Sequence, residues 1–335
     1  MFSEDANSSM STQAVAARLQ ATHQSKVYKR TQRLDGNQLS LLFYTLNRPN
    51  LGDNVRDGTV LPPGAHLIYF TPRTTTNRLN EDGTDSTFTA EPPFQRRIWG
   101  GGEMVWERAN PLLVGDTVLE TTQLETCEVK RDAQGDEMLL LTVARRLENG
   151  KGLAVTDRRH VLLRQNATSN SRTTEKGPSQ SQRHPGPSTA QALQQGANPK
   201  ALSRTVRLDE VTVFRYSALT FNSHRIHYSL PWARDVEKYP QLLAQGPLGI
   251  TLLLDLWGDS RATQQSDSDL EDRPQMPTSA RKLTYQSMKP LFVNETCNLN
   301  MLERGAGMAL LWIQKEDGTV GMKAEIECFQ LQEKL

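Results

Sequence analysis

Two of the six histidines in this 335-residue chain, His224 and His227, fall inside one dense segment, Tyr216-Ser217-Ala218-Leu219-Thr220-Phe221-Asn222-Ser223-His224-Arg225-Ile226-His227-Tyr228. An unperturbed imidazole titrates at about pH 6.5, so either ring can take a proton from carbon or hand one to a leaving oxygen. Further along, Gln245-Gly246-Pro247-Leu248 opens an apolar run. Proline suits the first position of a helix, and a helix N-terminus offers free N–H groups and a positive dipole end to a developing oxyanion. Pro247 has no N–H, so the donor must be Gly246, Leu248 or Gly249. A base and an oxyanion donor together are what proton abstraction beside a carbonyl requires. Asn222 can hydrogen-bond a hydroxyl or a water, but its amide cannot transfer a proton.

These groups need a scaffold that brings a helix end, a turn and a second helix N-terminus to one point. Asp209 is a fitting N-cap for a helix starting at Glu210, which ends near the histidine turn. The run Leu248 to Leu256 is apolar nearly all round, which predicts a buried helix. Strand-like runs follow at Lys282–Met288, Thr296–Glu303, Ala309–Lys315 and Val320–Leu331, separated by turn residues such as Glu316-Asp317-Gly318. The first half repeats this order. A helix spans Asn37–Leu46, and strands follow at Arg97–Arg108, Thr117–Arg131, Glu137–Glu148 and Leu153–Arg164. Helix plus curved antiparallel sheet, occurring twice, predicts a duplicated α+β chain.

Between the halves, residues 165–200 contain Leu193 as their only large apolar side chain. Such a segment cannot bury enough surface to offset its ordering entropy, so it reads as a disordered linker. The expected organisation is a disordered or targeting tail over 1–27, a first domain over 28–164, the linker, and a catalytic domain over 201–335. Polar stretches at 72–93 and 258–279 read as surface loops.

Composition narrows the function. Thirty-nine basic residues face 38 acidic ones, a net charge of +1, so nucleic acid is not an expected partner. The longest apolar run, Leu248–Trp257, is broken by Asp255 and is too short to span a bilayer. Cys127, Cys297 and Cys328 are scattered, and none stands at metal-ligand spacing with a histidine. No metal and no cofactor is expected. Residues 6–33 lack acidic side chains and carry Arg18, Lys26, Lys29, Arg30 and Arg33, which fits a mitochondrial presequence or an ordinary tail of a cytoplasmic protein.

The histidine segment resembles the signature of MaoC-like hydratases and dehydratases, in which Asp-x-Asn-Pro-Ile-His sets an Asp and a His against the substrate. In this alignment the signature Asp falls on Asn222, its Asn on His224, its Pro on Arg225 and its His on His227. Residues 221–228, followed by Tyr239-Pro240-Gln241-Leu242-Leu243-Ala244-Gln245-Gly246-Pro247-Leu248, are still more similar to the branch called hydroxyacyl-thioester dehydratase type 2, which mesaconyl-C4-CoA hydratases share. Residues 61–70, 96–118 and 288–299 agree. The resemblance implies a tandem (double) hot-dog fold and a hydro-lyase that dehydrates 3-hydroxyacyl thioesters of CoA or acyl carrier protein. It also implies a place in fatty-acid or polyketide synthesis and allows a homodimer of tandem hot dogs.

On that reading His227 is the expected base and Gly246, with Leu248 behind it, the expected oxyanion donor. Asn222 departs from the signature, so either His227 makes both proton transfers or His224 shares them. His224 could instead simply order the turn. Arg225 could bind the phosphates of CoA or of a carrier, or salt-bridge an acidic neighbour, and Tyr228 stands beside it as a substrate contact or a packing ring. His66 reads as a core histidine, and Trp99-Gly100-Gly101-Gly102 as a strand bulge. An acyl-CoA thioesterase or a non-catalytic acyl-binding protein are the alternatives.

Overall fold

The structure, a computed structural model, describes residues 10–132, 134–165, 201–265, 280–305 and 307–329. Helix α1 (Thr12–His23) leads to strand β1 (Tyr28–Arg33), helix α2 (Gly36–Thr45) and the short helix α3 (Pro49–Asp53). A long irregular stretch follows, and then strands β2 (Arg96–Trp106), β3 (Thr117–Arg131), β4 (Glu137–Asn149) and β5 (Gly152–Arg164). The second half runs β6 (Ala201–Arg207), α4 (Glu210–Thr220), α5 (Gly246–Gln265), β7 (Ala280–Ser287), β8 (Thr296–Gly305), β9 (Met308–Lys315) and β10 (Val320–Cys328).

The ten strands form one sheet in the order β1-β3-β4-β5-β2-β7-β10-β9-β8-β6. Each half therefore contributes five strands in the same internal order, and the halves join where β2 pairs antiparallel with β7 (Met104 opposite Leu283). The duplication reaches the helix starts. Arg33-Leu34-Asp35 precedes α2 and Arg207-Leu208-Asp209 precedes α4. Asp35 Oδ1 accepts the Gln38 N–H at 3.0 Å and Asp209 Oδ1 accepts the Thr212 N–H at 2.7 Å. Each cap contributes about 1 kcal/mol and fixes where its helix begins. Between Trp99 and Gly101 the register of β2 against β5 shifts, so the glycine run is a strand bulge, as expected.

Two expectations on organisation need correction. Residues 12–23 are not a free tail: α1 lies on the sheet, with Val15, Ala16 and Leu19 buried against Leu124, Leu139 and Leu141. Helix α5 does not stop at Leu256 but continues to Gln265, so only the rest of the 258–279 stretch, which lies outside the described residues, is left for a loop. Most of the expected 165–200 linker also lies outside them. Cys127 and Cys297 are free thiols, and burial pushes them up to about 11 and about 12. Among the described residues no helix is long and apolar enough to cross a membrane.

The halves differ in one feature that makes room for a site. In the second half Gly246 starts a 20-residue helix, fully buried at Leu248, Leu253 and Trp257. The matching point of the first half, after Gly64, carries only the single turn Ala65–Ile68. Helix α1 covers one end of the inner face of β3–β5, at Leu124, Leu139 and Leu141, and the part that carries Glu120, Arg145 and Arg159 is left to line a cavity. Helix α5 also pins the halves together: Arg48 from the α2–α3 turn and Arg204 from β6 both reach Asp255 (3.0 and 2.5 Å), and both reach Asp259 as well. Gln38 of α2 donates to the Leu219 carbonyl at the end of α4 (2.7 Å).

Candidate active site

Helix α4 ends at Phe221, whose φ of 49° turns the chain out of the helix, while Asn222 N–H closes the end on Ser217 O (2.9 Å). Asn222 Oδ1 then accepts the backbone N–H of His224 at 3.0 Å. This short loop sets the direction of the next turn, Arg225–His227, which closes with His227 N–H on His224 O (3.1 Å). The two imidazoles meet edge to face, with ring centroids 5.5 Å apart.

The returning chain locks His227. Leu243 N–H donates to Ile226 O (3.0 Å), and the Leu243 carbonyl lies 2.8 Å from His227 Nδ1. A carbonyl only accepts, so Nδ1 carries the proton and Nε2 keeps its lone pair. His227 lines a cavity of about 1210 Å³ that residues of both halves share. Burial, with His224 beside it, pushes the His227 pKa down to about 3, only partly opposed by the bond to Leu243. Burial, with the Arg97 and Arg96 guanidiniums, pushes His224 to about 3 as well. Both rings are neutral at physiological pH.

Two residues beyond Leu243, Gln245 ties the start of α5 to α4, donating from Nε2 to Val213 O (2.9 Å) and Ser217 Oγ (2.6 Å). Gly246 follows, on the cavity wall under Trp99. A side chain there would place its Cβ 2.8 Å from Trp99 Cδ1, so the close approach of helix and indole requires glycine. Gly246 and Pro247, at this helix end, line the same cavity as His227, while Gly249 N–H is taken up by Gln245 O (3.2 Å).

Of the residues expected from the sequence, Asn222, His224, Arg225, His227, Tyr228 and Gly246 all line the cavity. Arg225 stacks on Trp232 at 4.8 Å, and Tyr228 is exposed, which puts both at the rim. The Leu248 side chain is sealed in the core, because the helix has turned inward by that residue, so the role expected of it falls to its backbone N–H. His66 is buried, with Nε2 3.4 Å from Asp157, as a core histidine should be.

Sequence reasoning missed the contribution of the 72–93 stretch. Its turn Asn80–Thr84 packs on the histidine turn: Arg225 N–H donates to Asp82 O (2.7 Å) and Ser223 Oγ to Gly83 O (2.6 Å). The Asp82 carboxylate lies 3.6 Å from His224 Nε2. The Asp-Gly pair was legible as a turn, but nothing in its spacing tied it to a histidine of the other half. Arg97 and Trp99 of β2 also line the cavity.

A duplicated sheet with a single buried helix and a cavity shared by both halves is a double hot-dog fold. Residues 64–293 match the family model of hydroxyacyl-thioester dehydratase type 2, and the chain belongs to that family of hydro-lyases. It is 28% identical over 272 residues to mesaconyl-C(4)-CoA hydratase of Chloroflexus aurantiacus, covering 80% of this chain and 83% of that protein. It is 27% identical over 277 residues to mitochondrial hydroxyacyl-thioester dehydratase type 2 of Schizosaccharomyces pombe, covering 77% and 81%. A MaoC-like dehydratase from Phytophthora capsici superposes with a TM-score of 0.62 at 12% identity, over 95% of this chain and all (100%) of that one.

Proposed function

We propose that the chain interconverts 3-hydroxyacyl and 2-enoyl thioesters by loss or addition of water on one face, with His227 Nε2 as the proton-transferring atom. The observation that carries this is the hydrogen bond from His227 Nδ1 to Leu243 O, which leaves Nε2 unprotonated at the cavity. In dehydration the C2 proton passes to Nε2 while the C3–O bond breaks and its electron pair leaves with oxygen. The C2–C3 double bond forms, and the new imidazolium returns its proton to that oxygen, giving water. One proton moves and none is stranded. Negative charge on the thioester oxygen is met by the N–H groups that start α5, at Gly246 and Leu248. The side chain of Asn222 is engaged with His224 N–H through its oxygen, which an Asp could do equally well, so the departure from the signature leaves the turn intact.

The acyl group would enter the space left by the missing helix of the first half, between β3–β5 and Trp99. That half repeats the topology but not the chemistry: α2 leads into Asn47-Arg48-Pro49, with no histidine, so one site per chain is expected. At the rim Arg225 and Tyr228 would contact the phosphates of CoA or of an acyl-carrier prosthetic group. The names of the yeast relatives favour a mitochondrial location, and the pathway we propose is fatty-acid synthesis, with polyketide or other secondary-metabolite synthesis as the alternative. The test is an assay of purified protein against 3-hydroxyacyl-CoA thioesters of graded length, read by enoyl absorbance. His227→Ala should lower turnover by about 1000-fold with the fold intact. Release of free thiol without enoyl product would overturn the reading in favour of a thioesterase.

A further inference from the structure

The chain's single signature histidine leaves one question of geometry: what holds the C3 oxygen while His227 works on C2. Asn222 Oδ1 is already committed to the His224 N–H. His224 stands edge-on to His227 and lines the same cavity. Its Nε2 is sealed from solvent, has no hydrogen-bond partner among the described residues, and looks at Asp82 Oδ2 at 3.6 Å. That distance is longer than a hydrogen bond, and such contacts tighten when substrate closes a site. A lone pair turned toward a carboxylate would be repelled, so the one proton of the neutral ring belongs on Nε2. The lone pair then falls on Nδ1, on a ring that lines the cavity.

The carboxylate is itself held in place. Asp82 Oδ1 accepts from Thr84 N–H (2.9 Å) and Thr84 Oγ1 (2.7 Å), and Asp82 O accepts from Arg225 N–H (2.7 Å). Gly83, with φ at +84°, fits against the histidine turn so closely that a Cβ would lie 2.1 Å from Ser223 O. Loop and turn are thus built as one joint between the halves.

We infer that Asp82 is a positioning residue for catalysis: it fixes the Nε2–H tautomer of His224, so that His224 Nδ1 accepts the hydrogen of the substrate's 3-hydroxyl and holds that oxygen beside His227. This rests on the role given to His227 above. The hydroxyl's own hydrogen stays on oxygen, bonded to His224 Nδ1. The second hydrogen of the product water arrives from His227. In hydration the same contact orients the attacking water. The first half then supplies part of the acid–base machinery as well as space, and the carboxylate that the signature places at position 222 is recruited from across the molecule.

Asp82→Asn tests this, because an amide oxygen can keep the bonds to Thr84 while the charge is lost. The expected result is a fall in kcat of about 100-fold with KM within about twofold, and a melting temperature like that of the parent. Asp82→Asn combined with His224→Gln should be no slower than His224→Gln alone, since the carboxylate acts only through the ring. Histidine-selective ¹⁵N NMR of the full chain, with His224 assigned from His224→Gln, reads the tautomer without reference to activity. Nε2–H is expected in the parent, and a mixture in Asp82→Asn. Parental kcat in Asp82→Asn, additive losses in the double variant, or an Nδ1–H tautomer in the parent would overturn the inference while leaving His227 untouched. Full activity in His227→Ala would instead sink the reading on which it rests.

Discussion

His227 Nδ1 and the Leu243 carbonyl oxygen, 2.8 Å apart, join the histidine turn to the chain that enters the buried helix. One bond therefore fixes the ring's orientation, its tautomer and its distance from the helix N-terminus. A titratable ring fully inside the protein would ordinarily be a liability. Here burial sets the protonation state that a base needs.

The first expectation concerns pH and rate. With the His227 pKa held down to about 3, the base is already neutral throughout the mildly acidic range. The kcat/KM of the free enzyme should stay level as pH is lowered from 8 to about 5. A one-unit slope setting in near the ordinary imidazole value of about 6.5 would show that the ring is solvated and the geometry misassigned.

The second concerns pH and stability. His224 and His227 are neutral in the fold but would protonate at about 6.5 in the unfolded chain, so between that value and about 3 the unfolded state binds more protons. Stability is therefore fully present above about pH 6.5 and is lost as pH falls, by about 1.4 kcal/mol per unit for each ring at the limit. His23 and His160 shift in the same direction. Denaturant midpoints measured from pH 7 to 5 should fall in the parent and fall less steeply in the variant carrying His224→Gln and His227→Gln. Parallel curves would exclude a contribution from these two rings.

The third concerns the helix entry. Gly246→Ala places a methyl 2.8 Å from Trp99 Cδ1 and 3.0 Å from Cγ, so the indole or the helix must move. Overpacking of this kind costs about 1–3 kcal/mol. Because the same backbone is assigned to the oxyanion, kcat should fall by about 10- to 100-fold, more than a stability loss alone would give. Tryptophan emission should change with it. A variant with altered emission and parental kcat would move the oxyanion donors elsewhere.

What could be read from the sequence follows from which side chains carry local information. Asp209 announces α4, the Gly246-Pro247 pair announces α5, and the residues around His227 are specific enough to indicate both fold and chemistry. Strands β1 and β6 escaped because edge strands such as Tyr28-Lys29-Arg30-Thr31-Gln32-Arg33 are half exposed and carry almost no apolar alternation. The docking of helix α1 was not legible, since its buried apolar stripe is narrow, Val15, Ala16 and Leu19. The polar residues after Leu256 suggested a loop, whereas the ion pairs of Asp255 and Asp259 with Arg48 and Arg204 hold that stretch helical. Asp82 lay beyond reach for a different reason: its importance comes from a contact between halves, which no local pattern encodes.

The ladder between β2 and β7 makes this molecule, in effect, a dimer whose two copies are permanently tethered. Identical subunits must carry every compromise twice. A tethered pair is released from that symmetry, so one copy can do without the histidine turn and the long central helix and become chamber and brace while the other keeps the reaction. Substrate range and catalytic power can then evolve on separate stretches of a single polypeptide.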